Sequence, residues 1–327
     1  MAHKATPSGS NGGMSKLHEV VDELQNERGC PIWCIVHCNY GHICAPAIWS
    51  VYNARHKVGQ GDKIEILLHS GGGHPDIAFT VMKFFRRRFK EVNAIVPLTA
   101  KSSAALMCLG ADHIYTGELA DLGPIDIQID DAYEHGERSF SPLDEFKSME
   151  FLRELSIEWM DYYANLMKVQ YGISLKQGLH DSVPLVTGLM RPIFGQIDPI
   201  KMGGYRRSIA IGEEYAKRML ALTGNENAEQ IIRKMVWEYP SHDFAIDFEE
   251  AKELGLPVER LPESQDHRLT AAILNIERDH YHGFVPSRQA AKPVRTVRKG
   301  RAAGARTVAR RRVNGSDATR PEERVRP

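Results

Sequence analysis

Short apolar runs alternate with helical patterns through the first third of the chain. Each apolar run is bounded by turn-forming residues, which is typical of a buried parallel strand. The strand-like runs are Ile32–Cys38, Ile64–Leu68, Val92–Val96 and His113–Tyr115. The helical patterns between them are Ala45–Arg55, Ile77–Phe89 and Ala104–Leu109. Alternation of strands and helices with short connections predicts an α/β fold whose core is a parallel sheet.

From Pro142 onward the pattern becomes helical. Apolar residues recur at three- and four-residue steps through Phe146–Tyr171, which predicts one long amphipathic helix. Further helices are predicted at Ile209–Leu222, Ala228–Trp237 and Arg268–Arg278. Asp247 is expected to cap another short helix, which Gly255 ends. The second half of the chain is therefore expected to add a mostly helical arm to the α/β core.

The composition changes at both ends of the chain. Residues 1–14 are rich in Gly and Ser, which predicts a flexible lead. From Lys292 to the last residue there are twelve Lys or Arg against three Asp or Glu, with few large apolar residues. We expect residues 285–327 to form a disordered basic tail that could contact nucleic acid or an acidic surface, or stay solvated without a specific partner. One domain is expected over residues 15–284.

The apolar runs, the first thirty residues and the cysteines indicate the cellular compartment of the protein. No apolar run reaches the roughly 18 residues that a membrane span needs. The first thirty residues lack the apolar core of a secretory signal. Five cysteines, an odd number, argue against a disulfide framework and fit a reducing environment. We therefore expect a cytoplasmic protein without membrane contact.

The cysteines also raise the question of a metal site. Two histidines, His37 and His42, lie among the four cysteines Cys30, Cys34, Cys38 and Cys44. The spacing is not the paired two-residue gap of common zinc sites. On a strand, Cys34 and Cys38 would share one face with Val36 and act as small core residues. We therefore predict no metal and no cofactor.

Two clusters of small residues follow consecutive predicted strands. His69-Ser70-Gly71-Gly72-Gly73 follows the run ending at Leu68, and the segment 97–105 follows the run ending at Val96. The carboxyl ends of parallel strands meet at one edge, where open α/β sheets place their sites. Bare backbone amides beside a serine at the start of a helix are the components of an acyl-transfer site.

Several stretches resemble a known family. They are LLHSGGGHPDIA, VPLTAKSSAALMCLGADHIYTG, LADLGPIDIQI and YPSHDFAIDFEEAKELGLPV. Together they resemble the serine dehydrogenase proteinase family of the Clp/crotonase superfamily, a group of Clp-protease-like serine peptidases, from about Ile32 to Val258. The resemblance implies a Clp/crotonase-like core of ββα-type units and a homo-oligomer. It also implies a serine endopeptidase that hydrolyses peptide bonds in peptides or unfolded proteins through an acyl-enzyme.

The resemblance also assigns the nucleophile and the oxyanion hole. Ser102 corresponds to the family's nucleophile, and Ser103 is the competitor because a slip of one residue would bring it to the corner. The backbone amides of Gly72, Gly73 and Ser103 would then donate to the oxyanion that forms when the serine attacks.

The resemblance assigns the general base less directly than the nucleophile. The family's position for histidine holds Asp126, and its position for aspartate holds His242 followed by Asp243. We expect the two roles to be exchanged, so that His242 takes the Ser102 proton and Asp126 fixes the tautomer of the imidazole. Asp243 is the alternative orienter. Lys201 is the alternative base, as in serine–lysine dyads of related signal-peptide peptidases.

Two departures from the family pattern keep other functions open. Gly71 stands where a proline is usual, and Ala104 stands where a glycine is usual, so the corner could be loose or crowded. One alternative is therefore a weak or inactive Clp-like scaffold. Another is a crotonase-like acyl-CoA enzyme, which uses the oxyanion hole on a thioester enolate and needs no serine nucleophile.

Overall fold

The computed structural model of the chain describes residues 11–38, 41–130, 139–276 and 280–284. Its strands are β1 Ile32–His37, β2 Gly61–His69, β3 Phe89–Val96, β4 Thr99–Ala100, β5 Ile114–Thr116, β6 Asp121–Leu122, β7 Ile129–Asp130, β8 Ser139–Phe140, β9 Val258–Arg260 and β10 His280–Phe284. Its α-helices are α1 Asn11–Arg28, α2 Ala45–Val58, α3 Pro75–Arg86, α4 Ser103–Leu109, α5 Pro142–Tyr171, α6 Leu175–Phe194, α7 Pro199–Thr223, α8 Ala228–Arg233, α9 Phe248–Glu253 and α10 Glu263–Leu274. A π-helical turn, Lys234–Glu238, follows α8.

Six strands form the central sheet, in the order β10-β1-β2-β3-β5-β9. All neighbouring strands are parallel except β10, which pairs antiparallel with β1. All six residues of β1 are buried, and so are the last five residues of β3. Such continuous burial explains why these strands are apolar runs in the sequence rather than alternating ones. The predicted α/β fold with a parallel-sheet core is confirmed.

The two faces of the sheet carry separate apolar clusters. Trp33 and Ile35 of β1 pack with α2, α3 and α4 on one face. Cys34 and Val36 point to the other face and pack with α1 and α10. Cys34 is fully buried, and Cys38 packs against the same cluster, so the prediction that they are core residues is confirmed. Burial raises the pKa of the Cys34 thiol, which is in keeping with an inert core residue.

The helical arm consists mainly of α5, α6 and α7. The long helix predicted over 146–171 is present as α5 and begins earlier, at Pro142, where the Ser141 hydroxyl accepts the Leu143 N–H. Gly172, at φ 65°, ends α5, and Ser174 caps α6. The sequence patterns do not predict α6, because Pro184 and Pro192 lie inside it and proline usually ends a helix. The mostly helical character of this part of the chain is confirmed.

Some boundaries differ from expectation. The helix predicted over 77–89 ends at Arg86, and Phe89 already begins β3. Helix α1 begins at Asn11, inside the segment 1–14 expected as a flexible lead. Residues 1–10 and the predicted basic tail, 285–327, lie outside the described residues. None of the helices in the described ranges is long and apolar enough to cross a membrane.

A buried ion-pair cluster holds α1 and α10 to the sheet. The Glu65 carboxylate on β2 is completely buried and receives a bidentate contact from the Arg28 guanidinium, with Nη2 2.8 Å from Oε1. Lys63 Nζ lies 3.0 Å from the same carboxylate. The Arg28 guanidinium also donates to Gln265 of α10 and stacks on the Tyr115 ring at 4.2 Å. A buried carboxylate is tolerated only when it is paired in this way.

We predict that Arg28→Ala lowers the free energy of unfolding by about 3 kcal/mol, near the lower end for a broken buried pair because Lys63 remains. The matched control is Arg268→Ala, which removes a more exposed guanidinium paired with Glu23 and Glu27 between the same two helices. Exposed ion pairs contribute about 0–1 kcal/mol. Urea denaturation of both variants tests this. Equal losses in the two variants would contradict a structural role for the buried cluster.

Candidate active site

A second, short ladder lies beyond the carboxyl ends of the central strands. Its rungs are Ser70 with Ala100, Ala100 with Leu122, and Leu122 with Ile246. The first three of these residues follow β2, β3 and β5 along the chain, so the ladder is built where those strands leave the central sheet. The ladder therefore brings four segments that are distant in sequence to one edge of the molecule.

The candidate residues other than Lys201 lie within a few positions of these rungs. Gly72 and Ser102 each come two residues after a rung. Asp126 comes four residues after Leu122, and His242 comes four residues before Ile246. Leu122 and Ile246 form an isolated antiparallel bridge, which brings the segment that carries Asp126 alongside the segment that carries His242.

The glycine corner lies directly against Ser102. Gly72 has φ 113°, and a Cβ atom at this position would lie 2.6 Å from Ser102 Cβ and 3.1 Å from its Oγ. Gly73 has φ 141°, and a Cβ atom there would lie 2.3 Å from the carbonyl oxygen of Ile43. Only glycine fits at both positions. The expected meeting of the glycine corner and the serine corner is confirmed.

Ser102 has an unusual backbone conformation. Its φ is 50° and its ψ is −118°, and it is the one non-glycine residue with positive φ in the ranges the structure describes. It is the N-cap residue of α4, which begins at Ser103. Strained conformations of this kind cost of order 1–3 kcal/mol and cluster at functional sites. A sharp, strained turn between strand and helix is the geometry that exposes a nucleophilic serine.

The two residues after Ser102 face the core. Ser103 is 3% exposed, and its Oγ has no hydrogen-bond partner in the described part of the chain. Ala104 is fully buried among apolar side chains and does not have positive φ. The crowding expected from Ala104 is therefore not found, because its methyl group packs in the core and no glycine is required there.

The backbone amides at the corner differ in their partners. We expect from the sequence that Gly72 donates to an oxyanion, but its N–H donates to Ser70 Oγ at 3.1 Å. In the described residues, the Gly73 and Ser103 amides donate to no other group. Of the three amides expected to serve an oxyanion, those of Gly73 and Ser103 are left to donate to a further group, whereas the Gly72 amide is occupied in this structure.

Asp126 and His242 form a pair. His242 Nδ1 lies 3.7 Å from Asp126 Oδ2, and their side chains are 20% and 9% exposed. Asp126 Oδ1 accepts a 2.6 Å hydrogen bond from the Ser141 hydroxyl, which the sequence does not single out although a serine before Pro142 is a helix-start signal. Both members of the pair line a cavity of about 280 Å³ together with Ser141, Lys147 and Asp243.

The other candidates stand apart from this pair. Ser102 does not line the cavity, and its Oγ makes no hydrogen bond within the described ranges. Lys201 is exposed in the first turn of α7, where Asp198 caps the backbone. A lysine base must be desolvated to lose its proton near neutral pH. The position of Lys201 does not provide that burial.

Lys101 holds the ladder together. Its Nζ lies 2.6 Å from Asp121 Oδ2 and donates to the Phe244 carbonyl at 3.0 Å, so it connects the Ser102 corner to the segment that carries His242. His69 lies beside this ion pair, and burial lowers its pKa against the smaller opposing effect of Asp121. No group of three or more metal-ligating side chains that could hold an ion is present among the described residues.

We predict opposite outcomes for two neighbouring glycines. Gly72→Ala should lower the free energy of unfolding by about 2–4 kcal/mol, because the new Cβ is both strained and in collision with Ser102. Gly71→Ala should be neutral or stabilise by up to about 1 kcal/mol, since the space around a Cβ there is open and φ is not positive. Urea denaturation compares the two variants. Similar losses would contradict the described packing of the corner.

Comparison with known proteins gives three results. No protein-family model matches the chain. The chain is 23% identical over 251 residues to an uncharacterized protein of Methanocaldococcus jannaschii, covering 74% of this chain and 72% of that protein. Among solved structures, it is similar to a mutant of the 1510-N membrane-bound stomatin-specific protease in complex with a substrate peptide, at 12% identity over 72% of this chain and 76% of that chain, with a TM-score of 0.39. A ClpP1 mutant from Listeria monocytogenes matches at 18% identity over 49% of this chain and 83% of that chain, with a TM-score of 0.23.

Proposed function

We propose that this protein is a serine endopeptidase that cleaves peptide bonds through an acyl-enzyme on Ser102. The observation that carries the proposal is the strained Ser102 turn set against Gly72, with unpaired amides at Gly73 and Ser103. A strained serine beside free backbone donors has the components that acyl transfer requires. The family resemblance of the same segments supports peptide bonds as the substrate.

The mechanism follows from the partners of each group. His242 Nδ1 faces Asp126 Oδ2 at 3.7 Å, which is longer than a hydrogen bond, and Nδ1 makes no hydrogen bond in the described residues. When this contact shortens in the substrate complex, Asp126 accepts the hydrogen bond from Nδ1–H and leaves Nε2 as the base. His242 Nε2 accepts the Ser102 proton as Oγ attacks the substrate carbonyl. The Gly73 and Ser103 amides donate to the oxyanion, and His242 then protonates the leaving amine. A water molecule, activated by the same imidazole, hydrolyses the acyl-enzyme.

Substrate binding has to bring Ser102 Oγ and His242 together, since no hydrogen bond joins them in the described structure. Catalytic hydrogen bonds are often long in the free enzyme and shorten in the substrate complex. Lys101 connects the two segments and limits how far they can separate.

A crotonase-like reaction would use the same two amides on a thioester enolate. That chemistry needs neither a strained serine nor an aspartate–histidine pair, and the chain has both. These two features favour the peptidase over the acyl-CoA enzyme and over a scaffold without catalysis. We place the activity in the cytoplasm, which is supported by the free thiols of all five cysteines.

We also propose that the protein assembles with copies of itself through the helical arm. Helix α6 buries Gly178, Ser182, Val186 and Met190, which recur every fourth residue and form one face. Its remaining surface exposes a second apolar set, Leu175, Leu179, Val183, Leu185, Leu189, Ile193 and Phe194. A helix that is apolar on both sides is normally covered on both sides. A second copy of the same arm is the partner that matches this surface.

We predict that a fluorophosphonate probe labels the wild-type protein and Ser103→Ala but not Ser102→Ala. Ser103 keeps its amide in the alanine variant and loses only a buried hydroxyl, so it is the matched control. His242→Ala should slow labelling by about 10²–10⁴-fold, as for a lost general base. Lys201→Ala and Asp243→Asn should label as the wild type does.

The other outcomes of this experiment select the alternatives. Unchanged labelling of His242→Ala would remove it as the base. An unlabelled but folded wild type would favour the scaffold without catalysis. Turnover of an acyl-CoA thioester that survives in Ser102→Ala would favour the crotonase-like reaction.

We predict that Leu179→Glu/Val183→Glu reduces the mass of the assembly measured by sedimentation velocity, since two carboxylates would enter an apolar contact. Lys176→Glu is the control, because it adds negative charge at an exposed polar position of the same helix and should leave the mass unchanged. A monomeric wild type, or a variant with the wild-type mass, would contradict assembly through α6.

A further inference from the structure

A second serine–histidine pair lies buried behind the glycine corner. Ser70 Oγ is 2.7 Å from His37 Nδ1, Ser70 is completely buried, and His37 is 4% exposed. His37 is the last residue of β1, and Ser70 is the first residue after β2. Buried polar pairs are costly unless each group is satisfied, and the proposed reaction does not use this one.

This pair is not a second nucleophile. A serine that attacks a substrate carbonyl must be reachable from solvent, and Ser70 has no exposed surface. Its oxygen instead contacts its own turn, accepting the Gly72 N–H at 3.1 Å and lying 3.4 Å from the Gly72 carbonyl oxygen. The pair therefore acts on the backbone of the glycine corner.

The Ser70 hydroxyl fixes the backbone at the start of the glycine corner, from residue 70 to residue 72. A serine oxygen that accepts the N–H of the residue two positions later closes a local turn. This hydrogen bond favours the turn over other conformations of the same backbone. Residue 71 does not restrict the backbone by itself, because it is a glycine with open space around it. A proline at this position would restrict the backbone. The hydroxyl here supplies that restraint.

The neighbouring bonds complete the corner and leave one amide unpaired. The Gly72 carbonyl accepts the Ile43 N–H at 2.7 Å, and the His74 N–H donates to the Ile43 carbonyl at 2.8 Å. The hydrogen bonds of Gly72 and His74 thus hold the backbone before and after Gly73. The Gly73 N–H itself makes no bond within the described chain. Any rotation of Gly72 would turn the Gly73 N–H.

His37 sets the direction of the Ser70 hydroxyl hydrogen. In the tautomer of His37 whose Nδ1 carries no hydrogen, the Ser70 hydroxyl donates to Nδ1 at 2.7 Å rather than to the Gly72 carbonyl at 3.4 Å. A lone pair of Oγ then faces the Gly72 N–H. Without His37, the hydroxyl could rotate and weaken its hold on Gly72.

We propose that Ser70 and His37 are positioning residues that aim the Gly73 amide at the oxyanion of the proposed serine-hydrolase reaction. This inference rests on the proposed function of Ser102. Ser70 acts through the Gly72 N–H, and His37 acts through Ser70. Neither residue touches the substrate.

The test compares hydrolysis of p-nitrophenyl acetate with that of its thiono analogue, in which sulfur replaces the carbonyl oxygen. An oxyanion hole built from N–H donors favours oxygen, so the ratio of the two rates measures the hole itself. Loss of a full donor costs about 10²–10³ in kcat. For Ser70→Ala, which misdirects one donor, we expect at least about a tenfold loss in kcat, little change in KM and a smaller oxygen-to-sulfur ratio.

Four further variants separate positioning from stability. Ser182→Ala makes the same change at an equally buried serine in α6 and should keep the wild-type ratio. His37→Leu should shift the ratio in the direction of Ser70→Ala, and the double variant should be no worse than Ser70→Ala alone. His37→Asn, whose amide can take the position of Nδ1, should restore the ratio.

The outcomes distinguish this inference from the function on which it rests. Wild-type ester hydrolysis that survives in Ser102→Ala, or is absent, would overturn the proposed function, and the inference would fall with it. Hydrolysis that depends on Ser102, with an unchanged oxygen-to-sulfur ratio in Ser70→Ala, would overturn the inference alone. Additive losses in the double variant would show that His37 does not act through Ser70.

Discussion

The candidate site depends on the short ladder that joins Ser70, Ala100, Leu122 and Ile246 beyond the central sheet. Its hydrogen bonds are ordinary ones, such as Lys101 N to Ser70 O at 3.0 Å, Gly123 N to Ala100 O at 2.9 Å and Ile246 N to Leu122 O at 2.9 Å. Each is worth about 1 kcal/mol net. Their effect on position is larger than their energy, because four distant segments are held in one register. Without that register, the serine, the glycine corner and the aspartate–histidine pair would lie on separate loops.

The strain at Ser102 is sustained by its surroundings. Helix α4 has all seven residues buried, so it cannot shift to relieve the turn without opening the core. On the other side, Gly72 leaves no gap into which the backbone could relax, since even one added carbon would meet Ser102. Gly72 on one side and the packed helix α4 on the other therefore both hold the backbone of Ser102 in its strained conformation. The hydroxyl of Ser70 extends that constraint to the Gly73 amide.

The sequence predicts the features that local patterns encode. Apolar runs with turn formers predict β1, β2, β3 and β5, and the alternation predicts that they are parallel. The Asp247 cap is also predicted, and its side chain accepts the Glu250 N–H. The meeting of Gly72 with Ser102 and of Asp126 with His242 is predicted only with the help of the family resemblance and the parallel-sheet topology, and the other long-range partners are not predicted. The α1–α10 layer, the antiparallel strand β10, the Ser141 contact to Asp126 and the bond that occupies the Gly72 amide all depend on residues far apart in the chain or on one side-chain rotamer.

The ladder also bears on the exchanged places that we propose for aspartate and histidine. Leu122 and Ile246 form an isolated antiparallel bridge, which brings together two segments that carry a residue four positions after the first and a residue four positions before the second. These residues are Asp126 and His242, and their side chains come within 3.7 Å. The contact requires complementary side chains at these two positions, and the base is the one whose imidazole reaches Ser102 Oγ in the substrate complex. A triad is defined by the geometry of its members and not by their order in the chain, so the exchanged order is compatible with the proposed reaction.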